Sequence, residues 1–493
     1  MYEKNHSRPV DVVLDDESLN LIEPEEGIEK GRRIFVNRNL RLDKIKAVGF
    51  DMDHTLAVYN RDTIEPLDFS LTIERMISMG YPDSLKGIPY DKNTMIRGLV
   101  IDKKHGNILK VDRHGYISVA RHAGRVLGSV EKRGHYQNER IDLKEGRFNS
   151  IDTLFGIPEI LLFFHLTDMK DRGDAFISTK SYTEIYDDVR VSIDGVHRDD
   201  TLKSRVLSDL MRYFKKDVKL PLCLHKFRKS GKKLFLLTNS EEYYTEKVLS
   251  CILSGNMQQY PDYKDFFDLI ICRSGKPDFY QIEKPFCDGQ GKMRQGGCAR
   301  EMEKLLGCRG DEILYFGDHT FGDILVAKKY LGWRTAMVIE ELESEIHSQN
   351  GTEGLYEEYF HCMRERDEKY LATSKDFRRI NALRLKKVQN FGDLTRADLE
   401  SIDAEYQELF TKIGENERQI TEALVFLRDT EQRIMEQFNP LWGPLFKAGM
   451  EKSNFGRQVE TYACVYTSRV SNFFLYPADK YFMVLRDLMP HEL

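Results

Sequence analysis

The run Val48-Gly-Phe-Asp-Met-Asp-His-Thr-Leu56 constrains this chain more than any other segment, because an apolar stretch that reads as a buried strand delivers two aspartates, Asp51 and Asp53, at its carboxyl end. Successive side chains of a strand point to opposite faces, so Asp51 and Asp53 share one side while Met52 turns away. Two carboxylates held that close repel each other unless a cation or a shared proton relieves them. The chemistry this suits is covalent phosphoryl transfer: one carboxylate attacks phosphorus, its neighbour protonates the leaving oxygen, and a divalent cation neutralises the crowded oxygens. An isolated Asp-x-Asp is more often a solvated strand end, so the reading depends on what the other strands carry.

Three further segments supply it. Lys232-Lys-Leu-Phe-Leu-Leu-Thr-Asn-Ser240 is a second apolar run, ending in Thr238, Asn239 and Ser240, whose hydroxyls and amide can donate to phosphate oxygens. After Phe267-Asp-Leu-Ile-Ile-Cys-Arg273 comes Lys276, a compact positive charge suited to a phosphoryl group. Glu312-Ile-Leu-Tyr-Phe316 runs into Gly317-Asp-His-Thr-Phe-Gly-Asp323, where glycines let the loop turn and present Asp318 and Asp323 as hard oxygen ligands.

Apolar strands ending, in order, in a nucleophile, a hydroxyl, a lysine and an acidic pair resemble the haloacid dehalogenase superfamily of phosphohydrolases. Within it, Phe50-Asp-Met-Asp-His-Thr-Leu-Ala-Val-Tyr59, Tyr315-Phe-Gly-Asp-His-Thr-Phe-Gly-Asp-Ile-Leu325, Gly332-Trp-Arg-Thr335 and the closing Leu488-Met-Pro-His-Glu-Leu493 look like the cytosolic purine 5'-nucleotidases that prefer inosine and guanosine monophosphates. The resemblance runs from about Arg33 onward. It implies Mg2+-dependent hydrolysis of purine nucleoside monophosphates through an aspartyl phosphate. Asp51, Asp53, Thr238 and Lys276 are then catalytic, and Asp51, Asp53 (through its carbonyl), Asp318 and Asp323 hold the metal. It also implies phosphate transfer to nucleoside acceptors, nucleotide effectors at a second site, and a homo-oligomer.

At 493 residues the chain exceeds what one core usually holds, and 41% hydrophobic residues are ample for packed interiors. With 74 basic and 80 acidic residues the net charge is -6, so nothing at this level proposes a nucleic-acid or membrane partner. The first residues lack the apolar core of a signal peptide and no segment is apolar enough to span a bilayer, which gives the expectation of a cytoplasmic protein. Eight cysteines, none in a Cys-x-x-Cys pair, fit reduced thiols.

The expected fold class is α/β, a doubly wound parallel sheet of haloacid dehalogenase type with an inserted α+β cap and a helical C-terminal region. Residues 1–30 form a polar arm, 31–97 and 206–385 the core, 98–205 the cap and 386–493 the helical region. Short alternating runs from Gly98 to His122 predict an antiparallel meander, and the stretch from Asp152 to Ser204 predicts helices. The Gly- and Gln-containing insert between Asp278 and Arg300 reads either as a mobile loop beside Lys276 or as a plain surface excursion. Thr335 to Ile339 reads as a last strand. From Ile402 through Phe438 a near-heptad stripe fits an intramolecular hairpin and a subunit interface equally well.

In the cap, Arg190, Asp194 and His197 sit at helical spacings of four and three and share a face, with Lys203 just beyond. By spacing alone this is a solvated charged face. The nucleotidase resemblance makes it the base and ribose site, with Arg190 donating to the purine carbonyl, Asp194 accepting from a ring nitrogen, His197 touching base or phosphate, and Thr238, Asn239, Ser240 and Lys276 on the phosphate. Phe155 is either the stacking ring or a core phenylalanine. Gly156 stands where animal relatives carry an asparagine, which removes an amide contact to the base, and His54 replaces a common tyrosine. A broader sugar-phosphate phosphatase is the alternative enzyme. A scaffold with a vestigial core is the non-enzymatic one, and the intact catalytic set argues against it.

Overall fold

A computed structural model describes residues 27–137, 140–143, 145–288, 291–389 and 394–484. The expected arm at 1–30 and the closing Leu488–Leu493 motif lie mostly or wholly outside the described residues. The described chain divides into two compact units, one comprising 27–346 and 445–484 and the other 347–444.

The first unit is built on a nine-stranded sheet in the order Phe35–Val36, Val465–Thr467, Arg334–Val338, Ile313–Gly317, Ala47–Phe50, Lys233–Leu237, Leu269–Cys272, Met293–Gly296, Phe286–Asp288. Every neighbouring pair from Val465–Thr467 to Met293–Gly296 is parallel, and only the two outermost strands pair antiparallel. Parallel strands are apolar on both faces because connecting segments cover both. Here Val48, Phe50, Leu234, Leu236, Leu314 and Phe316 enter one buried cluster. Ala47, Phe235, Leu237, Ile313 and Tyr315 enter another on the opposite face. Gly49 keeps the central strands in register, since a Cβ there would lie 2.0 Å from the Phe235 ring.

Several elements differ from the sequence reading. Ser70 to Met79 reads in the sequence as an amphipathic helix stopped by Gly80 and Pro82, whereas the helix begins at Arg61 and runs to Ser78, its Pro66 accommodated in the second turn. The insert after Asp278 is not simply a loop: it contributes Phe286–Asp288 and Met293–Gly296 to the sheet edge. Beyond Arg334–Val338 the sheet gains Val465–Thr467, so the chain returns to this unit inside the 386–493 region read as helical. A three-residue strand so far along the sequence carries too little periodicity to be seen there.

The 98–205 segment contains a five-stranded antiparallel sheet, Leu99–Asp102, Asn107–Val111, Ile117–His122, Arg125–Val126 and Phe148–Ser150. It also contains helices Ser129–Tyr136, Gly156–Asp171, Tyr182–Arg198 and Thr201–Ser208. The meander is therefore extended by two strands, and a capping box at Ser181 and Glu184 fixes the start of the charged helix.

The second unit is an antiparallel hairpin of two long helices, Glu353–Gln389 and Arg396–Glu436. The boundary read at 385/386 falls inside the first of them. Ile402, Ile413, Ile420, Leu427 and Ile434 of the heptad stripe are buried, whereas Leu424 is 42% exposed.

Candidate active site

The strands Ile313–Gly317, Ala47–Phe50, Lys233–Leu237 and Leu269–Cys272 are consecutive neighbours in the sheet, so the loops at their carboxyl ends converge. Asp51, Thr238, Lys276, Asp318 and Asp323 are brought together there. Lys276 Nζ lies 2.8 Å from Asp51 Oδ1 and 2.7 Å from Asp323 Oδ1, and donates to Tyr315 Oη at 3.0 Å. One ligand oxygen from each of Asp51, Asp318 and Asp323 lies within 4.8 Å of the others, and all three residues are buried. Gly317 makes this possible, because a Cβ there would meet the Asp323 carboxylate at 2.6 Å.

Burial drives the electrostatics. It pushes the Asp51 carboxyl up to about 7 against the pull of Lys276, and Asp323 and Asp53 add to the rise. Asp318 is raised well above the carboxylate range by burial and then by Asp323 and Asp51. Burial opposes the charge on Lys276, yet the Asp323 and Asp51 carboxylates outweigh it and leave the ammonium strongly favoured. One lysine among three carboxylates leaves the cluster short of positive charge.

Asp53 is held at both oxygens. Tyr59 Oη donates to Oδ1 at 2.7 Å, Ser240 Oγ donates to Oδ2 at 2.8 Å, and Tyr244 Oη lies 3.0 Å from Tyr59 Oη. Burial raises the Asp53 carboxyl, and the Tyr59 and Ser240 hydrogen bonds hold the rise in check. Ser240, expected on phosphate, thus has Asp53 as its partner. Asn239 likewise clasps the lysine loop: Oδ1 accepts from Ser274 Oγ and Lys276 N, both at 2.8 Å, and Nδ2 donates to the Lys276 carbonyl at 3.1 Å. Thr238 is fully buried, and its Oγ1 accepts from Ser240 N at 3.1 Å.

Two cavities meet at this crevice. One of about 200 Å³ is lined by Asp53, Tyr59, Lys203, Asn239 and Ser240, the other of about 520 Å³ by Glu159, Arg190, Asp194 and His319, and Phe155 and His197 line both. Phe155 is gripped edge-on by His54, Tyr59 and His197, with ring centroids 4.5, 5.6 and 5.4 Å away. His197 Nε2 lies 3.1 Å from Asp68 Oδ2; burial lowers the imidazole, but the charge and the hydrogen bond of Asp68 together raise it above its ordinary value. Lys203 pairs with Glu241. Arg190 donates from Nη1 to Glu159 Oε2 at 2.8 Å and from Nε to Asp194 Oδ2 at 3.1 Å.

The sequence model of the 5' nucleotidase family matches residues 34–493. The chain belongs to the 5' nucleotidase family. It is also 28% identical, over 93% of its own length and 74% of the relative's, to a 5'-nucleotidase domain-containing protein of Dictyostelium discoideum. This 5'-nucleotidase is thus a phosphoric monoester hydrolase acting on nucleoside monophosphates.

The aspartate cluster fits a divalent cation of the kind such enzymes use. Asp318 Oδ2 is a buried acceptor without a hydrogen-bond partner among the described residues, facing an all-oxygen donor set that suits a hard ion. Among the described residues no helix is long and apolar enough to cross a membrane.

Sequence reasoning missed several groups that hold the site. Arg97, fully buried, donates from Nη1 to the Asp318 carbonyl at 3.1 Å and from Nε to Glu341 Oε1 at 2.8 Å. Glu159 is buried and also accepts from Tyr186 Oη. Its signal was present, a lone carboxylate at the head of the apolar run Ile157–Leu166. Tyr59 closes the Phe50–Tyr59 run with no role assigned to it, and Tyr244, in the helix Glu242–Leu253, gave no signal, because a buried tyrosine is most often an ordinary core residue.

Proposed function

We propose that this 5'-nucleotidase hydrolyses purine nucleoside 5'-monophosphates, inosine and guanosine monophosphates preferred, by the two-step route of the haloacid dehalogenase superfamily, with the 98–205 segment acting as its cap. The observation that carries the reading is the pairing of Asp51, tied through one oxygen to Lys276, with Asp53, held by Tyr59 and Ser240 at the wall of a cavity that continues past Phe155 and His197.

Asp51 Oδ1 is engaged by Lys276, which leaves Oδ2 to attack phosphorus in line and form an aspartyl phosphate. Asp53, its carboxyl raised by burial, gives its proton to the departing ribose 5'-oxygen and then takes one from the water that opens the aspartyl phosphate. Lys276 and the Thr238 hydroxyl hold phosphoryl oxygens as charge shifts between them. Asn239 keeps the Lys276 loop in place. Asp51, the Asp53 carbonyl and Asp318 would hold Mg2+, with Asp323 orienting the set, and the bound ion would supply positive charge to the phosphoryl oxygens. A nucleoside taking the place of water would turn hydrolysis into phosphotransfer.

At the far end Phe155 would stack on the base, while Arg190 donates to a purine carbonyl and Asp194 accepts from a ring N–H. Three carboxylate contacts already occupy Arg190, and a side chain at Gly156 would come within 2.9 Å of Ile151, so base contacts here are few. That favours keeping a broader sugar-phosphate phosphatase as the second reading. Hydrolysis rates across all common nucleoside monophosphates and hexose phosphates, with and without Mg2+, test both. A preference for inosine or guanosine over adenosine monophosphate of about tenfold or more in kcat/KM is expected from mismatched buried hydrogen bonds. Equal rates on nucleotides and sugar phosphates would select the second reading.

A further inference from the structure

The helix Glu353–Gln389 has two dissimilar apolar sides. Thr373, Asp376, Ile380 and Leu383 are buried in the hairpin. On another side Phe360, Leu371, Phe377, Leu385 and Val388 are between 43% and 71% exposed. With 3.6 residues per turn, these five, together with half-buried Met363 and exposed Ser374, fall within about 120° of the circumference. A stripe of large apolar side chains this long marks an interaction surface.

Its spacing says what fits it. Along the chain the positions 360, 363, 371, 374, 377, 385 and 388 are separated by 3, 8, 3, 3, 8 and 3 residues, a palindrome about Ser374. In two antiparallel copies of one helix related by a two-fold axis, a residue faces the one equally far beyond the axis. With the axis at Ser374, Phe360 faces Val388, Met363 faces Leu385 and Leu371 faces Phe377, each pair apolar and each made twice. The contact line from Phe360 to Val388 is about 42 Å at 1.5 Å per residue.

Charge selects the same orientation. From Glu353 to Tyr370 the helix carries six acidic and three basic residues, and from Leu371 to Gln389 six basic and one acidic. Antiparallel pairing lays the acidic half of one copy along the basic half of the other, whereas parallel pairing sets like charges together. We propose that this face docks the same face of a second copy of the chain, antiparallel and centred on Ser374.

Light scattering on the full chain reads the proposal directly. A mass twice 57.6 kDa is expected for the wild type and 57.6 kDa for Leu371→Asp/Phe377→Asp, with hydrolysis of 4-nitrophenyl phosphate unchanged. Ser374→Cys, a small change at an exposed position, should cross-link to itself under copper–phenanthroline and air, giving a doubled band on a non-reducing gel. Lys387→Cys should not, because its two copies would sit about 39 Å apart. The proposal is overturned if the wild type is monomeric, if the double variant keeps the wild-type mass, or if Ser374→Cys cross-links no better than Lys387→Cys. A double variant that unfolds as a monomer would mean that the chain itself covers this face, and a dimer with no Ser374→Cys cross-link would mean a different interface.

Discussion

Glu159 Oε2 accepts from Arg190 Nη1 at 2.8 Å in the wall of the larger cavity, and the carboxylate is almost wholly buried while the guanidinium is half exposed. A buried anion thereby fixes the orientation of a cation that reaches into open space. Burial raises the Glu159 carboxyl, with Arg190 and Tyr186 pulling it down, so the pair depends on both partners. Glu159→Gln keeps the shape and weakens the clamp. We expect KM for inosine monophosphate to rise about tenfold, the size of one mispaired hydrogen bond, with kcat nearly unchanged. Turnover of 4-nitrophenyl phosphate, which has no base, should stay within about twofold. Equal losses on both substrates would place Glu159 in general stability rather than in substrate positioning.

Tyr59→Phe removes the hydroxyl that donates to Asp53 Oδ1 and leaves the ring that packs against Phe155. The carboxylate keeps its Ser240 bond but loses its fixed angle. A fall in kcat of roughly 10- to 100-fold is expected, the equivalent of about 1–3 kcal/mol for a charge-bearing hydrogen bond. Tyr244→Phe acts one bond further out and should cost less. A rapid-quench measurement of phosphoenzyme turnover checks the ordering, and a larger effect at Tyr244 would contradict the chain of contacts.

The proposed catalytic set was legible because each member ends its own apolar run, and parallel strands carry their ends to one edge regardless of the order in which they pair. Asp51, Thr238, Lys276 and Asp318 needed nothing more than that. The partners of these residues were not legible, since they depend on which strand lies beside which: Ser240 reaches Asp53 only because Lys233–Leu237 neighbours Ala47–Phe50. Asn239 offers an amide that suits a phosphate and a loop equally well, and sequence has no means of choosing between them. Short edge strands such as Phe286–Asp288 escape for another reason. Their pairing is set by the sheet they join, and three residues carry no usable period.

Away from the site, Lys110 is buried within the five-stranded sheet, and burial lowers its ammonium to about 7 against the opposing pull of Glu345. The unfolded chain therefore holds this proton up to about 10.5 while the folded chain releases it near 7. Between those values the unfolded state binds more protons, so stability from this group is full above the unfolded value and is lost as pH falls through the window. Urea midpoints should rise from pH 7 to pH 10 in the wild type. Lys110→Met should be more stable at pH 7 and show a flatter profile, and an unchanged slope would remove Lys110 as its source.

Arg97 joins the point where the chain leaves for the five-stranded sheet to the loop that carries Asp318. Its side chain is fully buried, it donates to the Asp318 carbonyl at 3.1 Å, and Nη1 lies 4.0 Å from Asp318 Oδ2. Glu341 balances its charge, and the guanidinium also sits 5.1 Å from the centre of the Phe455 ring. The next residue, Gly98, has φ of +79°, and a Cβ there would strike Phe455 at 2.6 Å, so the backbone at this exit is tightly specified. Arg97→Lys keeps the charge but cannot reach the carbonyl and Glu341 together with a planar fork. The Asp318 loop should then lose its anchor and cation affinity with it. Calorimetric titration of the substrate-free protein with Mn2+ should show binding weakened about tenfold or more, as for other groups that orient metal ligands. Asp318→Asn should abolish the same heat. Arg97→Met strands the partly buried Glu341 and is expected to cost about 3 kcal/mol or more of folding stability. Wild-type Mn2+ affinity in Arg97→Lys, with folding intact by near-UV circular dichroism, would mean that the loop holds its shape without this contact.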